Sequence, residues 1–333
     1  MQRIGIIHLN QIGDLAFSLP LLGALRVHHP QAEIISIVKP NLVELLEGSP
    51  LVDRILTKKK GVRAKWELVR DVRKLHLDLL ICLARSEESL LLTTASKAKT
   101  KAGFVNTPWD FALDVKKRIE GHNCWYNNAK LLRALGIPLA YENYVGLLHK
   151  KPNQPVPALP ERYVVISAGA SQRRLIKAWD EDKFAALILR LSEYYGLSPV
   201  LVGGADSQAC NAQIRDTVSQ KTRADHPEIF DFSCQLSLQQ LLAVLQQASL
   251  FVGIDSGVMH LASALDIPVI GLFGPTDPFY VGPQNTHSVV VREALTCMPC
   301  YVKPTCKRYD CMRDLSIERV WNACAWLLDD TRR

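Results

Sequence analysis

The chain has 333 residues, of which 48% are apolar, with 40 Lys+Arg against 33 Asp+Glu and a net charge of +7. That length and composition suit two α/β domains with real cores and exclude a disordered chain. No apolar run approaches the ~18 residues of a membrane span, no basic n-region of a signal peptide precedes the first apolar residues, and an odd number of cysteines, nine, with five of them scattered through apparent elements, fits a reducing cytoplasm better than a disulfide framework.

The first half opens with a strand at Ile4–Leu9, a loop holding Gly13-Asp14, and a helical stretch to His28. Strands are expected at Glu33–Val38, Val52–Leu56 and Leu77–Leu83, the last apolar throughout and therefore buried on both faces. Between the last two lies the amphipathic Trp66–Leu75. Lys151–Pro160 carries four prolines in ten residues, which neither a helix nor a central strand tolerates, so it is read as an interdomain linker.

The second half repeats this grammar. Tyr163–Ser167 is a strand followed by the loop Gly169-Ala170-Ser171. Asp180–Tyr195 is a helix closed by Gly196, and Pro199–Val202 is a strand ending in Gly203-Gly204. Ser237 and Gln240 have capping-box spacing for a helix to Ala248. Leu250–Ile254, the turn Asp255-Ser256-Gly257, a short helix with His260 one turn in, and Pro268–Phe273 form a strand–turn–helix–strand unit. Ser316–Leu328 is a last helix. The expected fold class is α/β: two Rossmann-like doubly wound domains, 1–155 and 156–333, with ligand loops at the carboxyl ends of their strands, facing a central cleft.

The charge is uneven. Residues 1–155 carry 23 basic and 14 acidic side chains, net +9; residues 156–333 are net −2. Lys58–Lys74 alone holds eight basic residues against two acidic. A basic half calls for an anionic partner, unless the segment is simply a solvated helix face.

Four places can carry chemistry. Asp255-Ser256-Gly257 ends a buried strand and opens a helix, whose N-terminus suits a diphosphate; His260, on the same face as Ser256, can donate to a phosphate or ribose oxygen, or be a satisfied core histidine. Lys177, just after the Ser171 loop, can neutralise a diphosphate leaving group or be one more surface lysine. Asp14 at a strand end can serve as a general base or cap a helix. Cys297, Cys300, Cys306 and Cys311 fall within fifteen residues, a candidate structural zinc site or a loop of reduced thiols.

Together these blocks closely resemble the heptosyltransferases of bacterial lipopolysaccharide core assembly, glycosyltransferase family 9. The likeness runs from Gly13-Asp14 and Pro20 through Ser171 and Lys177-Ala178-Trp179 to Asp255-Ser256-Gly257, His260 and Phe273-Gly274-Pro275-Thr276, and extends to the cysteine-rich tail. It implies a GT-B fold, with an acceptor-binding N-terminal and a donor-binding C-terminal domain. It also implies inverting transfer of heptose from an ADP-activated donor to the inner core of a lipopolysaccharide precursor of the Kdo-lipid A type. Position by position, Asp14 would be the base and Lys177 would stabilise the departing diphosphate. Ser171, Asp255, Ser256, Gly257 and His260 would line the donor site, and the strand end with His8 and Gly13 would face the acceptor. Relatives often carry Thr at Ser256 and a basic residue at His8. The resemblance implies no cofactor beyond the donor substrate. The basic half then reads as a surface for the anionic inner membrane, with Lys58–Lys74 facing it from the cytoplasmic side and no nucleic acid expected. The same residues leave three other readings open: another nucleotide-activated sugar as donor, a non-catalytic nucleotide-sugar binder, or a basic zinc-containing nucleic-acid binder.

Overall fold

The computed structural model describes residues 1–105, 110–122, 124–149, 155–221, 227–301, 306 and 308–330. Residues 151–154 of the proline-rich linker lie outside the described residues; 155–160 form no regular element. The chain divides into two compact units, Met1–Lys151 and Pro152–Arg333.

In the first unit the order is β1 (Arg3–Ile7), α1 (Ile12–Ala16), α2 (Leu19–His28), β2 (Glu33–Val38), β3 (Arg54–Thr57), α3 (Val62–Lys74), β4 (Leu79–Cys82), α4 (Glu87–Ala95), β5 (Thr100–Val105), β6 (Val115–Arg118) and α5 (Cys124–Ala134). The strands form one sheet in the order β3-β2-β1-β4-β5-β6, and every pairing is parallel. Ile4 stands between Ile34 and Leu79, and β4 is buried along its whole length. Such strands need cover on both faces, which the helices supply. Val72 and Leu75 from the α3 segment and Leu92 from α4 close one side against Ile7, Ile35 and Leu80.

The second unit contains β7 (Tyr163–Ser167), α6 (Glu181–Tyr195), β8 (Ser198–Leu201), α7 (Gln208–Lys221), β9 (Phe230–Asp231), α8 (Leu238–Gln246), β10 (Leu250–Ile254), α9 (Gly257–Ala264), β11 (Val269–Phe273), α10 (Pro278–Val281), β12 (Ser288–Arg292), α11 (Asp310–Arg313) and α12 (Ile317–Asp330). Its parallel sheet runs β12-β11-β10-β7-β8-β9. The local signals hold: Asp180 caps α6 through the N–H groups of Asp182 and Lys183, Gly196 closes it in the left-handed conformation (φ 63°), and Ser237 with Gln240 forms the capping box of α8.

Both sheets have the same topology. Counted within each unit, the strand order is 3-2-1-4-5-6, so the winding direction reverses between the first and fourth strands, β1/β4 and β7/β10. Open α/β sheets bind ligands at the carboxyl ends of the strands at this reversal.

Several elements escape the sequence pattern. β6 reads Val-Lys-Lys-Arg, an edge strand with no apolar alternation, and α7 is mostly polar with only Asn211, Ile214 and Val218 buried. The helical stretch after β1 is broken into α1 and α2 at Phe17-Ser18, where Ser18 Oγ turns back to donate to the Leu15 carbonyl.

Candidate functional site

In the first unit the reversal lies between the ends of β1 and β4, and the loop after β1 delivers Asp14. Asp14 is not a cap. The N-cap of α1 is Gln11, and Asp14 sits in the first turn, where a carboxylate is favoured by the free N–H groups. The Cys124 thiol, from the start of α5 and 110 residues away, donates to Asp14 Oδ1 at 3.8 Å. Burial, then the Asp14 charge and hydrogen bond, push this thiol up to about 12, while Arg85 at the end of β4 opposes the shift. The thiol therefore stays protonated and keeps its donor role.

His8 is placed differently from a residue that meets a ligand. It is fully buried, its Nδ1 2.9 Å from Ser18 Oγ and its Nε2 3.1 Å from Ser36 Oγ. Burial, reinforced by the Lys58 charge, holds its pKa down at about 3. Lys58 is the cation at this strand edge. Its Nζ donates to the His8 carbonyl at 2.8 Å and to Asn10 Oδ1 at 2.9 Å, and burial lowers its pKa to about 8. The first member of the basic run thus turns inward to the strand ends, while Lys59, Lys60 and most of α3 are exposed. Asn10, Lys58, Arg85 and Cys124 are residues the motifs did not single out for this edge; only chain separation closed by the sheet brings them together.

In the second unit the reversal lies between β7 and β10. The loop after β7 carries Gly169 and Ser171, and the turn after β10 carries Asp255-Ser256-Gly257. Gly169 is needed by close approach: a Cβ there would sit 2.7 Å from Ser207 Cα at the entry to α7. A short 3-10 turn, Gln172–Lys177, follows the half-buried Ser171, whose side chain makes no capping bond.

Lys177 ends that turn and is buried. Its ammonium pairs with Asp255 Oδ2, and Thr276 Oγ1, from the loop after β11, donates to the same oxygen at 2.7 Å. Three strand-end loops therefore converge on one carboxylate. Ser256 is the N-cap of α9 by backbone conformation, yet its side chain makes no capping bond; the hydroxyl is buried without a hydrogen-bond partner among the described residues. His260, one turn into α9, is buried, and desolvation lowers its pKa to about 4, with Asp255 raising and Lys177 lowering it. At neutral pH it is a neutral imidazole.

The site is held from behind by Trp179. Its ring packs edge-on to Phe184 at 4.8 Å and its Nε1–H donates to the Leu315 carbonyl at 2.9 Å. Lys183 donates to the same carbonyl.

All nine cysteines are free thiols. Burial raises Cys300 and carries Cys311 up to about 11, and in both the neighbouring thiols of the 297–311 segment add to the shift. Cys297, Cys300, Cys306 and Cys311 are thus neighbours, but no group of three His, Cys, Asp or Glu among the described residues is placed to hold a metal ion. The zinc expectation finds no ligand set there, and Lys303 and Lys307 of that segment lie outside the described residues. No helix among the described residues is long and apolar enough to cross a membrane.

Residues 65–309 match the model of glycosyltransferase family 9 (heptosyltransferase). Lipopolysaccharide heptosyltransferase 3 of Escherichia coli K12 is 28% identical over 297 residues, 83% of this chain and 84% of that protein. Among solved structures, the family 9 glycosyltransferase of Veillonella parvula superposes with a TM-score of 0.80 at 21% identity, covering 99% of this chain and 97% of the other. An E. coli heptosyltransferase in complex with ADP-2-deoxy-2-fluoro heptose superposes at 0.70 with 18% identity, covering 99% and 100%. These likenesses confirm the two-domain Rossmann-like GT-B fold.

Proposed function

The chain belongs to glycosyltransferase family 9, and from that premise we propose that it transfers heptose, with inversion, from an ADP-activated donor to the inner core of a lipopolysaccharide precursor. The observation that carries this reading is the convergence of Lys177, Asp255 and Thr276 beside the start of α9, with the buried Ser256 hydroxyl unpartnered next to them. A helix N-terminus with spare N–H groups, an ammonium and an unpaired hydroxyl together answer a diphosphate. The relatives supply the sugar and the nucleotide: a lipopolysaccharide heptosyltransferase by sequence and a heptosyltransferase with an ADP-heptose analogue by structure.

In the reaction, an acceptor hydroxyl attacks the anomeric carbon from the face opposite the diphosphate. The new C–O bond forms as the bond from that carbon to the phosphate oxygen breaks. The hydroxyl proton passes to Asp14, and the electron pair leaves with ADP. Asp14 is the general base, with Gly13 beside it on the acceptor side. Lys177 and the first N–H groups of α9, at Gly257, offset the charge that grows on the diphosphate. Ser171, Asp255, Ser256 and His260 hold the donor. His8 acts on the acceptor edge through its carbonyl, which fixes Lys58. The first unit accepts and the second donates, and the basic excess of residues 1–155 holds the protein on the cytoplasmic face of an anionic inner membrane, where such an acceptor is embedded.

The test is calorimetric titration with ADP-heptose and, in parallel, UDP-glucose, using wild type and Asp14→Asn, beside turnover on a core acceptor. ADP-selective binding that survives Asp14→Asn while turnover is lost supports donor class and base together. Binding of neither nucleotide sugar, or preference for UDP, overturns the donor assignment; undiminished turnover by Asp14→Asn overturns the base.

A further inference from the structure

The carboxyl ends of the strands are one edge of the first unit's sheet. Its opposite edge carries a groove of about 400 Å³ lined by Trp66, Val69, Arg70, Arg73, Lys74, His76 and Lys97. The groove lies where α3 ends and the chain turns into β4 and, at Lys97, into β5. Because the sheet is parallel, this is the end remote from Asp14, separated from it by the length of α3, 13 residues or ~20 Å at 1.5 Å per residue.

The charges of this helix are not balanced along its length. Near its start, Arg63 pairs with Glu67, and Lys65 with Glu88 of α4. At the groove, only Arg70 has a carboxylate, Asp71 at 3.8 Å. Arg73, Lys74 and Lys97 have no ion-pair partner among the described residues. Arg73 and Lys74 also lie in the last turn of α3, where cations offset the free carbonyls. That accounts for two of the charges, but not for Lys97, which arrives from the β5 turn, nor for the apolar side chains beside them. Trp66 is 69% exposed and Val62 73%. His76 and Lys97 both have positive φ, 47° and 58°, which side-chain-bearing residues seldom adopt.

An exposed tryptophan among unpaired cations is the composition of a membrane-surface helix: the indole sits at headgroup level and the cations meet lipid phosphates. We propose that this groove binds the phosphate of an anionic phospholipid headgroup, with Trp66 and Val62 seated in the interface beside it. This rests on the peripheral association argued above and gives it a location: the α3 face and its remote end, not Lys58, which is committed to the acceptor edge. The charge of the groove selects an anionic surface, and Val62 and Trp66, exposed one turn apart on α3, supply the apolar face that a bilayer interface takes up.

The experiment is flotation of the full-length protein with vesicles of phosphatidylcholine alone or with phosphatidylglycerol, at low and high salt. Wild type is compared with Arg73→Ala/Lys97→Ala, Trp66→Ala, and Lys59→Ala as a basic substitution outside the groove. Donor titration of each variant reports that it is folded. The expected result is that wild type floats only with the anionic vesicles. The double variant should lose about thirtyfold in partitioning, at about 1 kcal/mol for each of its two basic side chains, and Trp66→Ala should lose severalfold at both salt concentrations; donor affinity should be unchanged in all. If wild type floats but the double variant floats equally well, the groove is not the site and peripheral association stands. If wild type floats with neither vesicle, both fall. Equal flotation with the zwitterionic phosphatidylcholine vesicles overturns the anionic-headgroup assignment.

Discussion

Lys177 and Asp255 form a buried ion pair across 78 residues of sequence, and the oxygen of Asp255 that receives the ammonium also accepts the Thr276 hydroxyl at 2.7 Å. The lysine proposed to meet the donor diphosphate is therefore already paired with an anion. Lys177→Ala should do two things at once. It should lower turnover by about 10²–10³-fold, the size expected on losing one stabiliser of developing charge. It should also destabilise the second unit by about 3 kcal/mol, because the Asp255 charge is left buried with only a hydroxyl partner. Steady-state kinetics with thermal melting checks both; a large loss of turnover with an unshifted melt would mean that the pair carries no structural weight.

Ser256→Ala should separate stability from binding. The hydroxyl is buried and unpartnered, so its removal should leave the melting temperature of the free protein unchanged or slightly raised. Donor affinity should fall by about 1 kcal/mol, roughly fivefold, if the hydroxyl bonds the bound donor. Unchanged affinity by calorimetry would remove Ser256 from the donor site.

The thiol beside the proposed base has its own signature. A hydrogen bond to a carboxylate favours the ionised form, so Cys124→Ala should move the acid limb of the kcat/KM profile to higher pH, by on the order of half a unit. Cys124→Ser, which keeps a donor, should restore much of it. The measurement is the pH profile of both variants on the same acceptor; identical acid limbs in wild type and Cys124→Ala would show that the thiol does not act on the base.

Two buried histidines make stability depend on pH. His8, held at about 3, and His260, at about 4, stay neutral in the folded protein where unfolded histidine would protonate. A folded pKa below the unfolded value of ~6.5 means that the unfolded chain takes up the proton first. Each contribution is complete above pH 6.5 and shrinks as the pH falls toward the folded values. Each unit should lose about 1 kcal/mol between pH 7.5 and 5.5. Urea unfolding at the two pH values tests this, with His8→Asn expected to flatten the dependence of the first unit alone.

The strand, turn and helix that carry the proposed donor residues were legible because their signals are local. A buried strand, Asp-Ser-Gly and an apolar helix lie in one stretch of sequence, and β10 and α9 appear where that grammar puts them. Asp180, Gly196 and Ser237 were legible for the same reason: each cap acts within one turn of its own residue. What was not legible depends on closure over distance. Cys124 reaches Asp14 only because α5 returns to the end of β1, and nothing in an eleven-residue polar helix announces that. His8 ends an apolar run at a strand terminus and resembles a residue awaiting a ligand. Its two hydroxyl partners, Ser18 and Ser36, are 10 and 28 residues away. β6 was invisible because an edge strand needs neither alternation nor apolar residues, and Lys-Lys-Arg is a composition that discourages further pairing.

Trp179 ties the loop of Lys177 to the segment between α11 and α12, and it does so through the Leu315 main-chain carbonyl. That choice of acceptor divides the ways in which the sequence can drift. The side chain at 315 can change for another of similar volume without altering the bond to Trp179. Adding or removing a residue between Tyr309 and Ser316 moves the carbonyl itself, and with it the anchor of Trp179, two residues after Lys177.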